Sequence, residues 1–195
     1  MKTGIVILAA GNSSRLGEPK QLLHFKGKSL LNIVCEEALK TSFRPIVVVL
    51  GAYADQIPRE NGNEINYKFN AEWEKGMASS ISAGLTNLIG IDETIENVII
   101  TVADQVFITA NIFENLVTEQ KRSGKGIVAA TYAKTTGTPV LFHKKYFEKL
   151  LSLEGNAGAK KIVQHHLEDT STVSFEKGAI DIDTQEDYEK LINSL

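Results

Sequence analysis

Two hydrophobic patterns alternate along this chain. Short, mostly apolar runs are typical of strands buried on both faces of a sheet, and they cover residues 5–10, 46–50, 98–102 and 126–131. Segments with apolar residues at helical spacing cover 29–41, 78–88, 109–121, 143–153, 157–167 and 184–194. Weaker strands are predicted over 65–69, over 140–142 after Pro139, and as a closing strand pair over 172–175 and 179–182.

Strands that alternate with helices in this way predict βαβ units and a mostly parallel sheet. A length of 195 residues, without a linker-like change in composition, fits a single α/β domain over 1–195. Ligands bind open α/β sheets beyond the carboxyl ends of the strands. Gly11 follows the first strand and Asp104 follows the strand over 98–102, so we expect both residues at the same edge of the sheet.

Composition and charge exclude several classes of protein. A formal net charge of −3 argues against nucleic acid as the main partner, because no basic stripe is available to bind a phosphate backbone. Cys35 is the single cysteine, so an internal disulfide is excluded. Cys35 is predicted to be a buried thiol. No apolar run approaches the ~20 residues of a membrane helix, and the chain enters its first strand without a signal peptide. We therefore expect a cytoplasmic protein with no membrane partner.

The stretch over residues 5–22 carries the strongest chemical signal. Its buried strand is followed by small turn residues and two cations, which are Gly11, Asn12, Ser13, Ser14, Arg15 and Lys20. Backbone N–H groups of such a turn point at phosphate oxygens, and Arg and Lys neutralise the phosphate charge. The dinucleotide fingerprint fails at its second glycine, and the Walker pattern fails because Leu22 stands where a glycine is required. A βα turn with surface cations remains the alternative interpretation.

Acidic residues near two strand ends are candidate magnesium ligands. Asp104 follows a buried strand directly, and Mg²⁺ needs only one or two protein carboxylates, because waters and phosphate oxygens complete its shell. Asp181 and Asp183 are two positions apart, so on a strand they would face the same side. The alternatives are a helix N-cap for Asp104, and a cap at Asp183 with a solvated Asp181.

A turn and a helix start over residues 70–80 offer groups for a nucleoside. The hydroxyls of Ser79 and Ser80 and the free N–H groups there are able to bind a base or ribose, and Gly76 would let a ring approach the backbone. An ordinary capped amphipathic helix is the alternative.

These segments resemble a known family. LAAG over 8–11, SRLG over 14–17 and PK over 19–20 resemble the LAAGxSxRxGxxK signature of nucleotidyltransferases with a GT-A-like fold. Within them the chain most resembles the molybdenum cofactor cytidylyltransferase branch. Further matches are the DQ at 104–105, the DIDT at 181–184, and Asn70, Trp73, Gly76, Met77 and Ser80. Val106 and Gln185 stand where the family has proline.

The resemblance implies a single-domain, Rossmann-like, GT-A-type fold in which residues 1 to about 105 bind the nucleoside triphosphate and residues about 106 to 195 bind the acceptor. It implies Mg²⁺-dependent transfer of CMP from CTP onto a phosphate-bearing acceptor, molybdopterin, with release of pyrophosphate. A molybdoenzyme or its chaperone is a candidate protein partner. The alternatives are a sugar- or polyol-phosphate nucleotidyltransferase and a nucleotide or pterin carrier without turnover.

The resemblance also implies roles for particular residues. Arg15 cradles the β and γ phosphates with the turn, Lys20 lies near the α phosphate, and Asp104 holds the metal; these three are the expected catalytic residues. Asp181 or Asp183 is the second metal ligand, with Asp181 favoured. The expected nucleotide-binding residues are Leu8, Ala9, Ala10, Gly11, Asn12, Ser13, Ser14, Arg15, Lys20, Asn70, Gly76, Ser79 and Ser80.

Overall fold

The computed structural model describes residues 1–13, 16–59, 62–180 and 182–193. Its strands are β1 (Thr3–Ala9), β2 (His24–Phe25), β3 (Lys28–Ser29), β4 (Ile46–Leu50), β5 (Ile65–Phe69), β6 (Asn97–Val102), β7 (Ile127–Tyr132), β8 (Thr135–His143) and β9 (Thr170–Ser174). Its α-helices are α1 (Leu30–Leu39), α2 (Met77–Ile91), α3 (Ala110–Ser123), α4 (Phe147–Leu151), α5 (Lys160–His165) and α6 (Gln185–Asn193). None of the helices in these ranges has the length and apolar character needed to cross a bilayer.

The described strands form a seven-stranded sheet in the order β5-β4-β1-β6-β8-β7-β9, beside a two-stranded β2-β3 hairpin. The pairs β4-β5, β1-β4, β1-β6 and β7-β9 are parallel, and β8 runs antiparallel to both of its neighbours. The α/β fold with a mostly parallel central sheet is therefore confirmed. The helical connections between parallel strands account for the alternation seen in the sequence.

Strand register aligns the carboxyl ends of the central strands. Leu8 pairs with Val49 on β4 and with Val102 on β6, and the N–H of Ala103 donates to the carbonyl of Leu8 over 3.1 Å. The turn after β1 and the loop after β6 consequently leave the sheet side by side. The expectation that Gly11 and Asp104 share one edge is confirmed.

Two apolar layers cover the faces of the sheet. Alternate β1 residues, Ile5 and Ile7 on one side and Val6 and Leu8 on the other, belong to separate buried clusters, because side chains of a strand point to opposite faces. The first cluster includes residues of α1 and α3, and the second includes residues of α2, α4 and α5. Helix α2 packs so closely that a Cβ on Gly84 would lie 2.5 Å from Val6. The prediction that Cys35 is a buried thiol is also confirmed.

Helix α6 packs at the carboxyl edge of the sheet through a third apolar cluster. The members of this cluster are Leu23, Phe25, Leu30, Val106, Ile182 and Leu191. Thr184 caps α6 as predicted: its hydroxyl donates to Asp187 Oδ2 over 2.6 Å and accepts from the Asp187 N–H over 3.2 Å. Because Ile182 is buried in this cluster, the adjacent Asp183 is brought to the edge where β1 and β6 end.

The predicted closing strand pair is wrong in its second member. Residues 170–174 form β9 beside β7, but Glu176–Ala179 form a short 3-10 helix, and residues 182–184 are not a strand. Gly178 packs against the rings of Phe175 and Tyr132, where a Cβ would lie 2.6 to 2.7 Å from ring carbons. This tight turn replaces the strand, so Asp183 does not occupy a strand position, and Asp181 lies outside the described residues.

Other boundaries also differ from the prediction, most of all those of β8 and α4. Strand β8 extends from Thr135 to His143 instead of covering 140–142, and its register with β7 shifts between Ala129 and Ala130, which leaves Pro139 unpaired in that ladder. Proline lacks a backbone donor, so it is tolerated at such an irregularity. The helix predicted over 143–153 is accordingly reduced to α4, preceded by one 3-10 turn.

Candidate active site

A cleft of about 720 Å³ opens beyond the carboxyl ends of β1 and β6. The predicted residues that line this cleft are Leu8, Ala9, Ala10, Gly11, Asn12, Lys20, Gly76, Ser80, Asp104 and Asp183. Further lining residues include Trp73, which belongs to the matched family motif, and Gln21, Tyr132, Thr138 and Asn156, to which the sequence assigned no role. A cavity of this size is in the range of small-molecule and cofactor sites. The predicted residues therefore gather from distant parts of the chain around one cleft.

The turn after β1 begins at Gly11 and is held by several hydrogen bonds. Ser13 adopts a left-handed conformation with φ of 47°, and its hydroxyl accepts a hydrogen bond from the backbone N–H of Lys20 over 3.1 Å. The carbonyl of Asn12 accepts from the hydroxyl of Tyr53 over 2.6 Å. The predictions for Ser14 and Arg15 fall outside the described residues.

Lys20 lies between two carboxylates in the cleft. Its ammonium pairs with Asp104 and lies 3.2 Å from Asp183 Oδ1. Burial by itself would lower the pKa of Lys20, but Asp104 and Asp183 outweigh it and raise the pKa above the model-compound value of 10.5. Lys20 is therefore a cation at neutral pH, in a site where most of its surface is removed from water.

The donor set suits a magnesium ion that is shared with a substrate. Among the described residues there is no group of three or more His, Cys, Asp or Glu arranged to hold a metal. Asp104 and Asp183 nevertheless approach one point, which is the ammonium of Lys20. Mg²⁺ takes one or two carboxylates and completes its shell with waters and phosphate oxygens. The two carboxylates present fit that requirement without a third protein ligand.

The segment over 70–80 is divided between the cleft wall and an internal network. The side-chain amide of Asn70 donates to the hydroxyls of Ser79 and Ser80 over 2.9 and 3.1 Å, and the Ser79 hydroxyl lies 2.9 Å from the carbonyl of Gly76. Asn70 and Ser79 thus bond to each other at the start of α2 and do not line the cleft, and α2 has no side-chain cap. Gly76 and Ser80 lie at the wall, where nucleotide contact stays a prediction.

Gly76 is required by its backbone conformation and by its neighbour. Its φ is 101°, and a Cβ would lie 2.5 Å from the carbonyl oxygen of Gly155 and from Asn156 Oδ1. The loop carrying Asn156 is also tied to α2, because the N–H of Ala78 donates to the Gly155 carbonyl over 3.1 Å. A loop from the second half of the chain therefore completes the wall formed by the first half.

Two buried glutamines were missed by the sequence analysis. Gln21 donates from its amide to the carbonyls of Ala9 and Gly11, both over 2.9 Å, and Gln105 donates to the carbonyl of Thr138 over 2.9 Å. The available signal was their position, since each directly follows a charged residue assigned to catalysis. Glutamine in a loop is ordinarily exposed, so burial was not predictable from residue type.

Comparison with known proteins identifies relatives over the whole chain. A family described as "MobA-like NTP transferase domain" matches residues 5–170. The chain is 29% identical to nicotine blue oxidoreductase of Paenarthrobacter nicotinovorans, over 96% of this chain and 95% of that protein. It is 23% identical to molybdenum cofactor cytidylyltransferase of Escherichia coli K12, over 94% and 92% of the two chains.

A solved structure shares the fold. The manganese complex of Rv0371c from Mycobacterium tuberculosis H37Rv superposes with a TM-score of 0.80 and 22% identity, and the match covers all of both chains. At this identity the likeness shows the common architecture only.

Proposed function

This chain belongs to the MobA-like NTP transferase family and is a nucleotidyltransferase, and on that premise we propose that it transfers CMP from CTP onto a phosphate-bearing acceptor, molybdopterin, and releases pyrophosphate. The observation that carries the proposal is the convergence of Lys20, Asp104 and Asp183 beside the turn that follows β1, within one cleft. Such a cluster suits a triphosphate that binds together with Mg²⁺, because the carboxylates would hold the metal ion while the ammonium and the ion neutralise phosphate charge.

The residues present account for the transfer by positioning and charge neutralisation. Backbone N–H groups of the turn at Gly11 hold the β and γ phosphates. The ammonium of Lys20 turns from its carboxylate partners to the α phosphate and stabilises the negative charge that develops there. Asp104 and Asp183 would hold a Mg²⁺ ion, which supplies further neutralisation of phosphate charge.

The bond changes need no covalent enzyme intermediate. An oxygen of the acceptor phosphate forms a bond to the α phosphorus, and the bond from the α phosphorus to the bridging oxygen breaks. That oxygen leaves with the bonding electrons as part of pyrophosphate. Lysine is ordinarily protonated at neutral pH, so the ammonium of Lys20 neutralises charge throughout the step.

The two halves of the chain would divide the substrates. Residues 1–105 supply the turn and Lys20 for the nucleotide, and residues 106–195 supply Tyr132, Thr138 and Asn156 to the same cleft for the acceptor. The choice of CTP is supported by LAAG over 8–11, which resembles the cytidylyl branch of the family, whereas the family's guanylyl branch typically has a second glycine in place of Ala10. The E. coli cytidylyltransferase relative also supports it. The nucleotide and the acceptor are both cytoplasmic metabolites, so we propose that the protein is located in the cytoplasm.

The test is a matrix of donors, acceptors and metals. Pyrophosphate release is measured with each of four nucleoside triphosphates, with molybdopterin or a sugar 1-phosphate as acceptor, and with Mg²⁺ or Mn²⁺. We expect release with CTP, molybdopterin and Mg²⁺, and selective thermal stabilisation by CTP, since a ligand at 100 times its dissociation constant adds about 2.7 kcal/mol.

Each other outcome identifies a competing function. Release with the sugar phosphate alone would replace molybdopterin by a sugar acceptor. Selective stabilisation by GTP would overturn the donor. Binding of CTP without release of pyrophosphate with either acceptor would favour the carrier without turnover.

A further inference from the structure

Each charged residue of the Lys20–Asp104 pair is followed by a buried glutamine. Gln21 and Gln105 are 2% and 3% exposed. The amide nitrogen of each donates to backbone carbonyls of residues that line the cleft. A buried glutamine bonded to backbone carbonyls is therefore present next to Lys20 and next to Asp104.

Gln21 connects Lys20 to the turn after β1. Its amide nitrogen donates both hydrogens, one to the carbonyl of Ala9 at the end of β1 and one to the carbonyl of Gly11 in the turn. Because both neighbours are acceptors, only this orientation of the amide is compatible with them. The backbone N–H of Lys20 donates to the Ser13 hydroxyl at the other end of the same turn. Three hydrogen bonds thus join the lysine and the turn into one unit.

Gln105 connects the loop of Asp104 to the second half of the chain. Its amide nitrogen donates to the carbonyl of Thr138, which lies beside Pro139 where the β7-β8 register shifts and the ladder leaves residues unpaired. Thr138 itself lines the cleft. The side chain therefore holds the Asp104 loop against the wall that faces the acceptor.

We propose that Gln21 and Gln105 are positioning residues for nucleotidyl transfer: Gln21 sets the phosphate-binding turn against Lys20, and Gln105 sets the Asp104 loop against the acceptor side of the cleft. The inference rests on the proposed function for the transfer step, but the binding of a phosphate chain by the turn is separable from it. Displacement of a reacting group by about 1 Å is enough to cost about 10²-fold in rate.

The first test replaces Gln21 by methionine, which has a similar length and no donor. Calorimetric affinity for inorganic tripolyphosphate is the readout, because this probe needs no base, acceptor or turnover. We expect the Gln21→Met variant to bind tripolyphosphate at least tenfold more weakly than the wild type.

The matched control is Gln120→Met. Gln120 is a buried glutamine on α3, outside the cleft, with no hydrogen-bond partner for its amide oxygen in the described ranges. We expect this variant to bind tripolyphosphate within twofold of the wild type even if its melting temperature falls. Wild-type-like binding by Gln21→Met, or an equal loss in the Gln120 variant, would overturn the role of Gln21.

A second Gln21 variant covers the case in which methionine prevents folding. Gln21→Glu keeps the shape but places a carboxylate opposite two carbonyls, and protonation of that carboxylate restores one donor. We expect its tripolyphosphate affinity, relative to the wild type at the same pH, to recover as the pH falls from 7 to 5. A ratio of variant to wild-type affinity that does not change with pH would contradict the proposed role of the Gln21 amide donors.

The variant Gln105→Met separates the proposed role of Gln105 from that of Gln21. We expect unchanged tripolyphosphate affinity, because the turn is intact, and a 10- to 100-fold lower kcat with little change in the KM for the nucleotide. A kcat within twofold of the wild type, or a loss confined to tripolyphosphate binding, would remove Gln105 from the proposal. If no donor and acceptor pair supports transfer, the proposed function fails while the tripolyphosphate result still decides the role of Gln21.

Discussion

Lysine and aspartate pair at both ends of the parallel strands, with different consequences. Lys20 and Asp104 meet at the carboxyl edge, in the cleft. Lys145 and Asp169 meet at the amino edge, just before β7 and β9 begin, with the lysine nitrogen 2.7 Å from the carboxylate. The two pairs have the same chemistry, so the difference between them lies in what else each carboxylate contacts.

At the amino edge, most hydrogen-bond acceptor sites of the Asp169 carboxylate are occupied. Asp169 Oδ1 accepts from the N–H of Gly126 over 3.1 Å, and Oδ2 accepts from the Tyr146 hydroxyl over 2.6 Å and from Lys145. Burial opposes the charged form, yet the hydrogen bonds from Lys145, Tyr146 and Gly126 lower the pKa of Asp169 to about 2. This carboxylate joins the starts of two strands and has little capacity left for a ligand.

The carboxyl-edge pair is different, because a second carboxylate shares its lysine beside the cleft. The carboxylate of Asp104 accepts from Lys20 alone among the groups of the described ranges, and a second carboxylate, Asp183, approaches the same ammonium. In the part of the site that the structure describes, one cation therefore faces two anions beside an open cleft. A Lys–Asp pair does not by itself indicate a ligand site; a pair that lines a cavity and has a second carboxylate at the same lysine does.

Removal of each lysine in turn has the largest expected effect on this comparison. We expect Lys20→Met to lower kcat/KM for pyrophosphate release by about 10³-fold, because a preorganised charge at the reacting phosphate is lost. Lys145→Met should leave kcat/KM within twofold of the wild type. Steady-state kinetics of both variants provide the measurement. Equal losses in the two variants would show that the pairs are not functionally different.

A tyrosine at the amino edge tests the structural role of Asp169. We expect Tyr146→Phe to lower the free energy of unfolding by about 1 to 2 kcal/mol, because the partly buried carboxylate loses a hydrogen bond, and to leave kcat unchanged. Urea unfolding gives the measurement.

The matched control for that variant is Tyr53→Phe, which removes the exposed hydrogen bond to the Asn12 carbonyl at the other edge. Its unfolding free energy should fall by less than about 0.5 kcal/mol. A larger destabilisation in the Tyr53 variant than in the Tyr146 variant would contradict the inference that the hydrogen bonds of Asp169 at the amino edge stabilise the fold.

The pH dependence of stability is the smallest expected effect. The pKa of Asp169 falls from 3.8 to about 2 on folding, so its contribution is present above pH 3.8 and is lost as the pH falls to about 2. The raised pKa of Lys20 acts at the opposite extreme: its contribution is present below pH 10.5 and is lost as the pH rises through the higher folded value.

Urea unfolding of the wild type and Asp169→Asn between pH 5 and pH 2 measures the acid part. We expect the stability difference between the two proteins to narrow across this range. A constant difference would mean that the ion pair and hydrogen bonds of Asp169 do not contribute to folding.

The central strands were predictable because their environment leaves a local signature. A strand buried on both faces has a near-continuous apolar run, and residues 5–10, 46–50 and, apart from Thr101, 98–102 have one. The end of the chain has no such signature. Alternation over 179–182 predicts a strand, but packing of Gly178 against Tyr132 and burial of Ile182 beneath α6 produce a different path.

The sequence by itself determined the α/β alternation, the polar turn after β1 and the charged residues available to a phosphate, because each of these depends on neighbours a few positions away. Only the tertiary structure decided which acids meet Lys20, since Asp104 and Asp183 are 84 and 163 positions from it. It also decided that Gln21 would be buried against the turn. Such contacts depend on strand order and on the packing of Ile182 and Leu191, which no local pattern encodes.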